Sequence, residues 1–327
     1  FLAAGQLAGD DSFAAGVLGG AEELLHLVRV QRLVDELPDD NGFFEKVVLG
    51  TMWKTWAVDD GDIDYEPHPD ASIGAIAERT GITTVSDFRR RDIAAGGQGA
   101  PLAPAFHNAV LRSPDETRVV LNLGGIANIT VLPADPDAPV IGFDTGPANC
   151  LLDAWHARHR GTAVDQDGQW AASGKVIPDL LERLLSADYF RRPLPKSTGR
   201  EDFHLDWLAQ HLTGDESPAD VQATLLSLTV ESIVRALEQT GVSLAALTPC
   251  GGGARNGALL MQLERRLAQG EQATPLVSCA DMGWNADLLE ASAFAWLAAR
   301  RVLERPGNLP SVTGASGPRV LGGLYAR

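Results

Sequence analysis

Two apolar runs, 119–123 and 126–132, meet at a bare Gly124-Gly125 pair. No other stretch constrains the fold as much, because a glycine pair between two strand-like runs is a hairpin signal. A third strand, "PVIGF", comes next and leads into "DTGPAN", where a helix is expected to start near Pro147. Further on, "ALTPC" runs into "GGGARN" and another helix, and a strand "PLVSC" precedes a helix from about 286 to 303. Between them an amphipathic helix is expected from about Pro218 to Gln239, with Ser217 as N-cap and Gly241 as its stop. Strands alternating with helices give an α/β class, and the early hairpin makes the sheet mixed rather than purely parallel.

Before the hairpin the pattern is looser. Residues 20–37 predict a helix, with Leu27, Val30, Val34 and Leu37 on one inward face. A strand "KVVLG" ends at Gly50, followed by "TMWKTW" and an acidic loop over 59–70. A helix near 72–80 then leads to a strand in "GITTVSDF". The stretch 92–106, "DIAAGGQGAPLAPAF", has too much Gly and Pro for either regular element and reads as a long loop.

At 327 residues two domains are expected. A net charge of −16 repels phosphate backbones and anionic lipid, which argues against nucleic-acid and membrane partners. It leaves room for a small anion in one local pocket. Cys150, Cys250 and Cys279 lack metal-ligand spacing and read as reduced thiols. The opening "FLAAGQLAGDD" lacks the basic start of a signal peptide, and no apolar run nears 18 residues, so the cytoplasm is the default expectation.

Three turns carry candidate chemistry. Gly124-Gly125 is either a plain hairpin turn or one whose backbone N–H groups approach an oxyanion. Asp144, at a strand's end beside a helix start, either caps that helix or sits where α/β sheets place ligands. Gly251, Gly252 and Gly253 are either a loose connection or flat open backbone for a planar base. They match neither GxGxxG nor a P-loop.

Two glycine turns with an aspartate between them resemble the sugar kinase, Hsp70 and actin superfamily. The detailed wording resembles one family, anhydro-N-acetylmuramic acid kinase. The stretches that carry this are "AERTGITTVSDFRRRDIAAGGQGAPLAPAFH", "LNLGGIANIT", "GFDTGPANCLLDAW", "DGQWAASGKV" and "PKSTGREDF", followed by "DVQATL", "CGGGARN", "EASAFAWLA" and "GNLPSVTGASGPRVLG". They cover residues 77–327 in the family's order. The resemblance implies a two-domain actin/Hsp70/sugar-kinase-like α/β fold with mixed sheets flanked by helices. Its first domain would take residues 1–116 with 308–327 and its second 117–307. The family's opening Gly-Thr-Ser-Leu-Asp-Gly phosphate turn has no match here, and Thr51-Met52-Trp53-Lys54 stands where the family has Ser-His-Gly-Gln. The first domain is therefore expected to be incomplete.

The resemblance further implies a kinase using ATP and Mg²⁺. It would open anhydro-N-acetylmuramic acid with water and phosphorylate the sugar's 6-oxygen, giving N-acetylmuramic acid 6-phosphate in cell-wall sugar recycling. Asp144 would activate the water. Gly124 and Gly125 would face the phosphates, with Gly251, Gly252, Gly253 and Asn256 toward the adenosine. Arg89 would pair with the sugar's lactyl carboxylate, with Gln98 in the same pocket, and Glu290 would bind sugar hydroxyls; the alternative for Arg89 and Glu290 is a solvated face. A homodimer is left open. Two other readings compete: an inactive fragment or pseudokinase that binds sugar or nucleotide, and a chaperone-like ATPase of the same superfamily.

Overall fold

The computed structural model describes residues 47–49, 73, 77, 78, 83–270, 274–286 and 289–326. The helix expected at 20–37, "TMWKTW" and the acidic loop lie outside the described residues, as does most of the helix expected near 72–80. In chain order come β1 (Val47–Leu49), β2 (Thr83–Ser86), α1 (Arg90–Ala94), α2 (Ala103–Val110), β3 (Arg118–Leu123), β4 (Ile126–Leu132), β5 (Ile141–Pro147) and α3 (Asn149–Arg160). There follow α4 (Gln169–Ser173), α5 (Pro178–Leu185), α6 (Asp188–Arg191), α7 (Leu205–Ala209), α8 (Pro218–Thr240), β6 (Ala246–Cys250) and α9 (Gly257–Leu267). The chain closes with α10 (Leu289–Val302), α11 (Pro310–Thr313) and β7 (Gly323–Tyr325).

The chain divides into two compact units, one reaching Phe106 and joined by Glu290–Arg327, the other His107–Leu289. The sequence places these divisions at 116/117 and 307/308. They fall earlier because the apolar face of α10 packs with the first unit: Leu297 and Ala298 join Val85, Phe88 and Leu321 in one buried cluster.

The second unit is built on a four-stranded mixed sheet in the order β5-β4-β3-β6. β3 and β4 form the expected antiparallel hairpin, with Leu123 opposite Ala127, and β6 runs parallel to β3, with Cys250 beside Asn122. This register brings the Gly124-Gly125 turn and the start of Gly251–Gly253 to one edge of the sheet. β5 ends there too, with Pro147 opposite Ile126. Leu121, Ile129 and Phe143 on the strands and Leu225 and Leu228 on α8 are buried in one core, each contributing roughly 1.5–3 kcal/mol. α8 is buried nearly all round, and its buried residues include Gln222, Thr224, Ser227, Thr229 and Ser232 beside the leucines and valines. Pro218 stands in its first turn and Gly241 ends it at φ 63°, although the Ser217 side chain makes no capping bond. The expected strand "PLVSC" forms only one bridge, Leu276 beside Leu247.

In the first unit β2 lies between β1, parallel to it, and β7, antiparallel. The long loop expected over 92–106 contains the end of α1, a tight turn and the start of α2. Its organiser is Asp92, fully buried. Asp92 Oδ2 accepts from the Gly99 amide at 2.8 Å, and Oδ1 accepts from Asn308 Nδ2 and Thr313 Oγ1, each at 2.7 Å. A buried carboxylate costs little only when so satisfied. Gly and Pro are plentiful here because the chain must turn around that group.

Candidate active site

Asp144 sits in β5, and the strand does not end beside it. Instead of turning at Thr145-Gly146, the chain stays extended through Pro147, and α3 begins at Asn149. The register slips by one residue between Ala127 and Asn128, so Asp144 faces Asn128 while Gly146 faces Ala127. Such irregularities re-aim side chains at the rims of sheets. The capping alternative for Asp144 is thereby removed. The first amides of α3 are taken by other groups: Ala148 and Cys150 donate to the Gly125 carbonyl at 3.0 Å each, and Asn149 donates to Gly124 at 3.1 Å.

The Asp144 carboxylate is held by a different segment, the loop that follows Pro195. Ser197 Oγ donates to Oδ2 at 2.9 Å, and the Thr198 amide donates to the same oxygen at 3.0 Å. The backbone is fixed as well: the Asp144 amide donates to Lys196 O at 3.0 Å, and Tyr189 OH donates to Asp144 O at 2.6 Å. Among the described residues Oδ1 has no hydrogen-bond partner. Burial raises the Asp144 carboxyl above its ordinary value, and the Thr198 and Ser197 donors offset part of that rise.

With the carbonyls of Gly124 and Gly125 turned toward α3, their amide N–H groups donate to none of the turn, loop or cap hydrogen bonds among the described residues. Asn149 Nδ2 fastens the turn further, donating to Leu123 O at 2.8 Å and Gly124 O at 2.9 Å. The neighbouring glycines divide by role. A Cβ on Gly253 would stand 2.7 Å from Leu123 Cβ, and one on Gly251 would collide with Asn122 Oδ1, so both are needed for close packing on β3. A Cβ on Gly252 would meet nothing within 4 Å. That residue borders open space, which suits a flat ligand lying along the backbone. Asn256 is an N-cap: its Oδ1 accepts from the Leu259 amide at 3.0 Å, leaving only its NH₂ for a ligand.

Arg89, Gln98 and Glu290 belong to the first unit. Arg89 Nε donates to Gly99 O at 3.2 Å, which leaves its terminal nitrogens. Gln98 gives its amide to Thr313 O at 2.8 Å and keeps its side chain exposed. Glu290 is exposed in the first turn of α10. The residues that sequence reasoning leaves without a role are Tyr189, Ser197, Thr198 and Arg200. The last three lie in "PKSTGRED", whose run of polar residues after two prolines is the one local signal available.

A mixed sheet flanked by helices, with glycine turns and an aspartate at one edge, defines the actin/Hsp70/sugar-kinase class of fold. The family model described as "AnmK: Anhydro-N-acetylmuramic acid kinase" matches residues 70–327, and the chain belongs to that family. The anhydro-N-acetylmuramic acid kinase of Chromohalobacter salexigens is 60% identical over 256 residues, covering 77% of this chain and 68% of that protein. Its counterpart from Xanthomonas campestris pv. campestris is 56% identical, covering 76% and 65%. That from Xylella fastidiosa is 52% identical over 271 residues, covering 80% and 70%. The matched stretch thus spans about two thirds of each relative's length. Among the described residues no helix is long and apolar enough to cross a membrane.

Proposed function

We propose that this chain is a kinase of anhydro-N-acetylmuramic acid, as its relatives are named, and that it opens the anhydro ring as it phosphorylates the sugar with ATP. The observation that carries this reading is the unlike pair of oxygens on Asp144, one pinned by two donors and one unpartnered, at the sheet edge that also bears both glycine turns. A carboxylate raised by burial suits a general base working nearer neutral pH than an ordinary aspartate does.

In this mechanism Asp144 Oδ1 takes the proton of a water that attacks the anomeric carbon. The bond from that carbon to the 6-oxygen breaks, and its electron pair stays on the oxygen, which attacks the γ-phosphorus; the bond from that phosphorus to the β–γ bridging oxygen breaks, and ADP leaves with its electron pair. No separate acid is required to protonate the departing oxygen, unlike the two-carboxylate pattern of glycoside hydrolases. When bound, ATP supplies the phosphoryl group and Mg²⁺ neutralises its charge. The Gly124 and Gly125 amides face the phosphates, and Gly252 leaves room for the base. Mg²⁺ commonly needs only one or two carboxylates beside phosphates and water. On the first unit, Arg89 offers a cation of the kind a lactyl carboxylate needs, and Gln98 and Glu290 offer polar groups suited to a sugar.

The test is product analysis in ¹⁸O-labelled water. The reading requires ADP release that depends on the anhydro sugar, with one label at the anomeric carbon and phosphate on the 6-oxygen. ADP release that ignores the sugar, or a label in phosphate, overturns it.

A further inference from the structure

The loop that positions Asp144 carries one more group, which the mechanism above does not use. Two residues beyond Thr198 stands Arg200, an exposed side chain whose guanidinium lies against the Gly125 backbone. A Cβ on Gly125 would be 3.0 Å from both Nε and Nη2 and 3.4 Å from Cζ. The absence of a side chain at residue 125 is what lets the planar fork come so close. Among the described residues Arg200 forms no hydrogen bond and no ion pair within 4.0 Å. Its charge is nonetheless felt on α3, where it opposes the rise that burial imposes on the Cys150 thiol and the Asp153 carboxyl.

A guanidinium without a carboxylate partner, beside glycine amides unused by the turn, matches an anion with several oxygens. We propose that Arg200 holds phosphate oxygens of a nucleotide at the Gly124-Gly125 turn, a role that rests on the nucleotide reading above. One short loop then serves both halves of the chemistry: Ser197 and Thr198 orient the base, and Arg200 steadies the group to be transferred. Motion of this loop would disturb both together. A sugar carboxylate offers an arginine the same bidentate chemistry, so each ligand needs its own measurement.

The experiment is calorimetry on the full chain and its Arg200→Gln and Arg200→Lys variants, using ATP, adenosine and anhydro-N-acetylmuramic acid. Loss of a charge-assisted bond should weaken ATP roughly 10- to 100-fold in Arg200→Gln. Adenosine and sugar affinities should stay unchanged, and Arg200→Lys should fall between, since it keeps the charge and loses the fork. Unchanged ATP affinity in Arg200→Gln overturns this role and leaves the nucleotide reading standing. Weakened sugar binding with intact ATP binding also overturns it, in favour of the carboxylate. A parent protein that binds neither ATP nor adenosine removes the nucleotide reading and this role with it. Should Arg200→Gln fail to fold, Arg200→Lys decides: ATP affinity equal to the parent's overturns the proposal.

Discussion

Ser197 Oγ and the Thr198 amide donate to the same oxygen of Asp144, at 2.9 and 3.0 Å. Both bonds favour the ionised carboxylate, against the burial that disfavours it. Ser197→Ala removes one of them, so the acid limb of the pH–rate profile should move upward by about one unit. Turnover at higher pH should recover to within a few-fold of the parent, and Ser197→Thr should restore the limb. A uniform fall in kcat with an unmoved limb would show that Ser197 does not tune this carboxylate.

Asp144→Asn keeps the size and an acceptor for Ser197 and Thr198 while removing the base. Turnover should fall by roughly 10²- to 10⁴-fold. The parent's raised carboxyl contributes stability at low pH that is lost as pH rises through its folded value. The Asn variant should therefore melt within a few degrees of the parent at neutral pH and lack that part of the pH dependence. Single-turnover rates and thermal midpoints on one preparation test both statements; turnover within a few-fold of the parent would deprive the mechanism of its base.

Gly252 and Gly253 are adjacent and should behave in opposite ways. Gly252→Val adds atoms where nothing stands within 4 Å, so the fold should tolerate it while nucleotide affinity is lost. Gly253→Val drives a side chain into Leu123 and should cost about 1–3 kcal/mol or more of stability. Calorimetry with ATP beside denaturant unfolding separates the two. Full ATP affinity in Gly252→Val would move the adenosine elsewhere.

His107 is buried with Nδ1 2.9 Å from Thr130 Oγ1, and burial pulls it down to about 4. The unfolded histidine binds its proton near 6.5. Its contribution to stability is therefore full above that pH and is lost as pH falls toward about 4, on the order of 3 kcal/mol in all. Denaturant unfolding at several pH values across that window should show the loss in the parent and a flatter slope in His107→Gln. Equal slopes would place the acid sensitivity on other groups.

Much of the second unit was readable from local pattern. The β3–β4 hairpin, β6 and α8 follow from apolar periodicity, and the glycine turns mark where the sheet's edge lies. The roles of Ser197, Thr198 and Arg200 were not readable, because each acts on a residue more than fifty positions away or on a bare backbone. The polar run in "PKSTGRED" marks a loop, but not that the loop folds across β5. The sequence understates β5 for a related reason: Thr-Gly-Pro normally reads as a turn. Here the Thr145 hydroxyl donates to Ala127 O at 3.3 Å, and Gly146 at φ 149° lies where a Cβ would be 2.8 Å from Phe190. The loop expected over 92–106 concealed its structure too, since two of Asp92's donors come from Asn308 and Thr313.

Those two donors, together with β7, have a consequence for how the protein is made. The carboxylate at 92 and the edge of β2 are completed by residues beyond 307, which a ribosome adds only after the whole of His107–Leu289. The described strands of the second unit all precede residue 290, whereas β2 and Asp92 must wait for residues beyond 307. Until then a buried acid lacks two of its three donors and a strand edge lies open. Before residues 308–325 are made, the second unit has all its described strands while β2 still lacks β7.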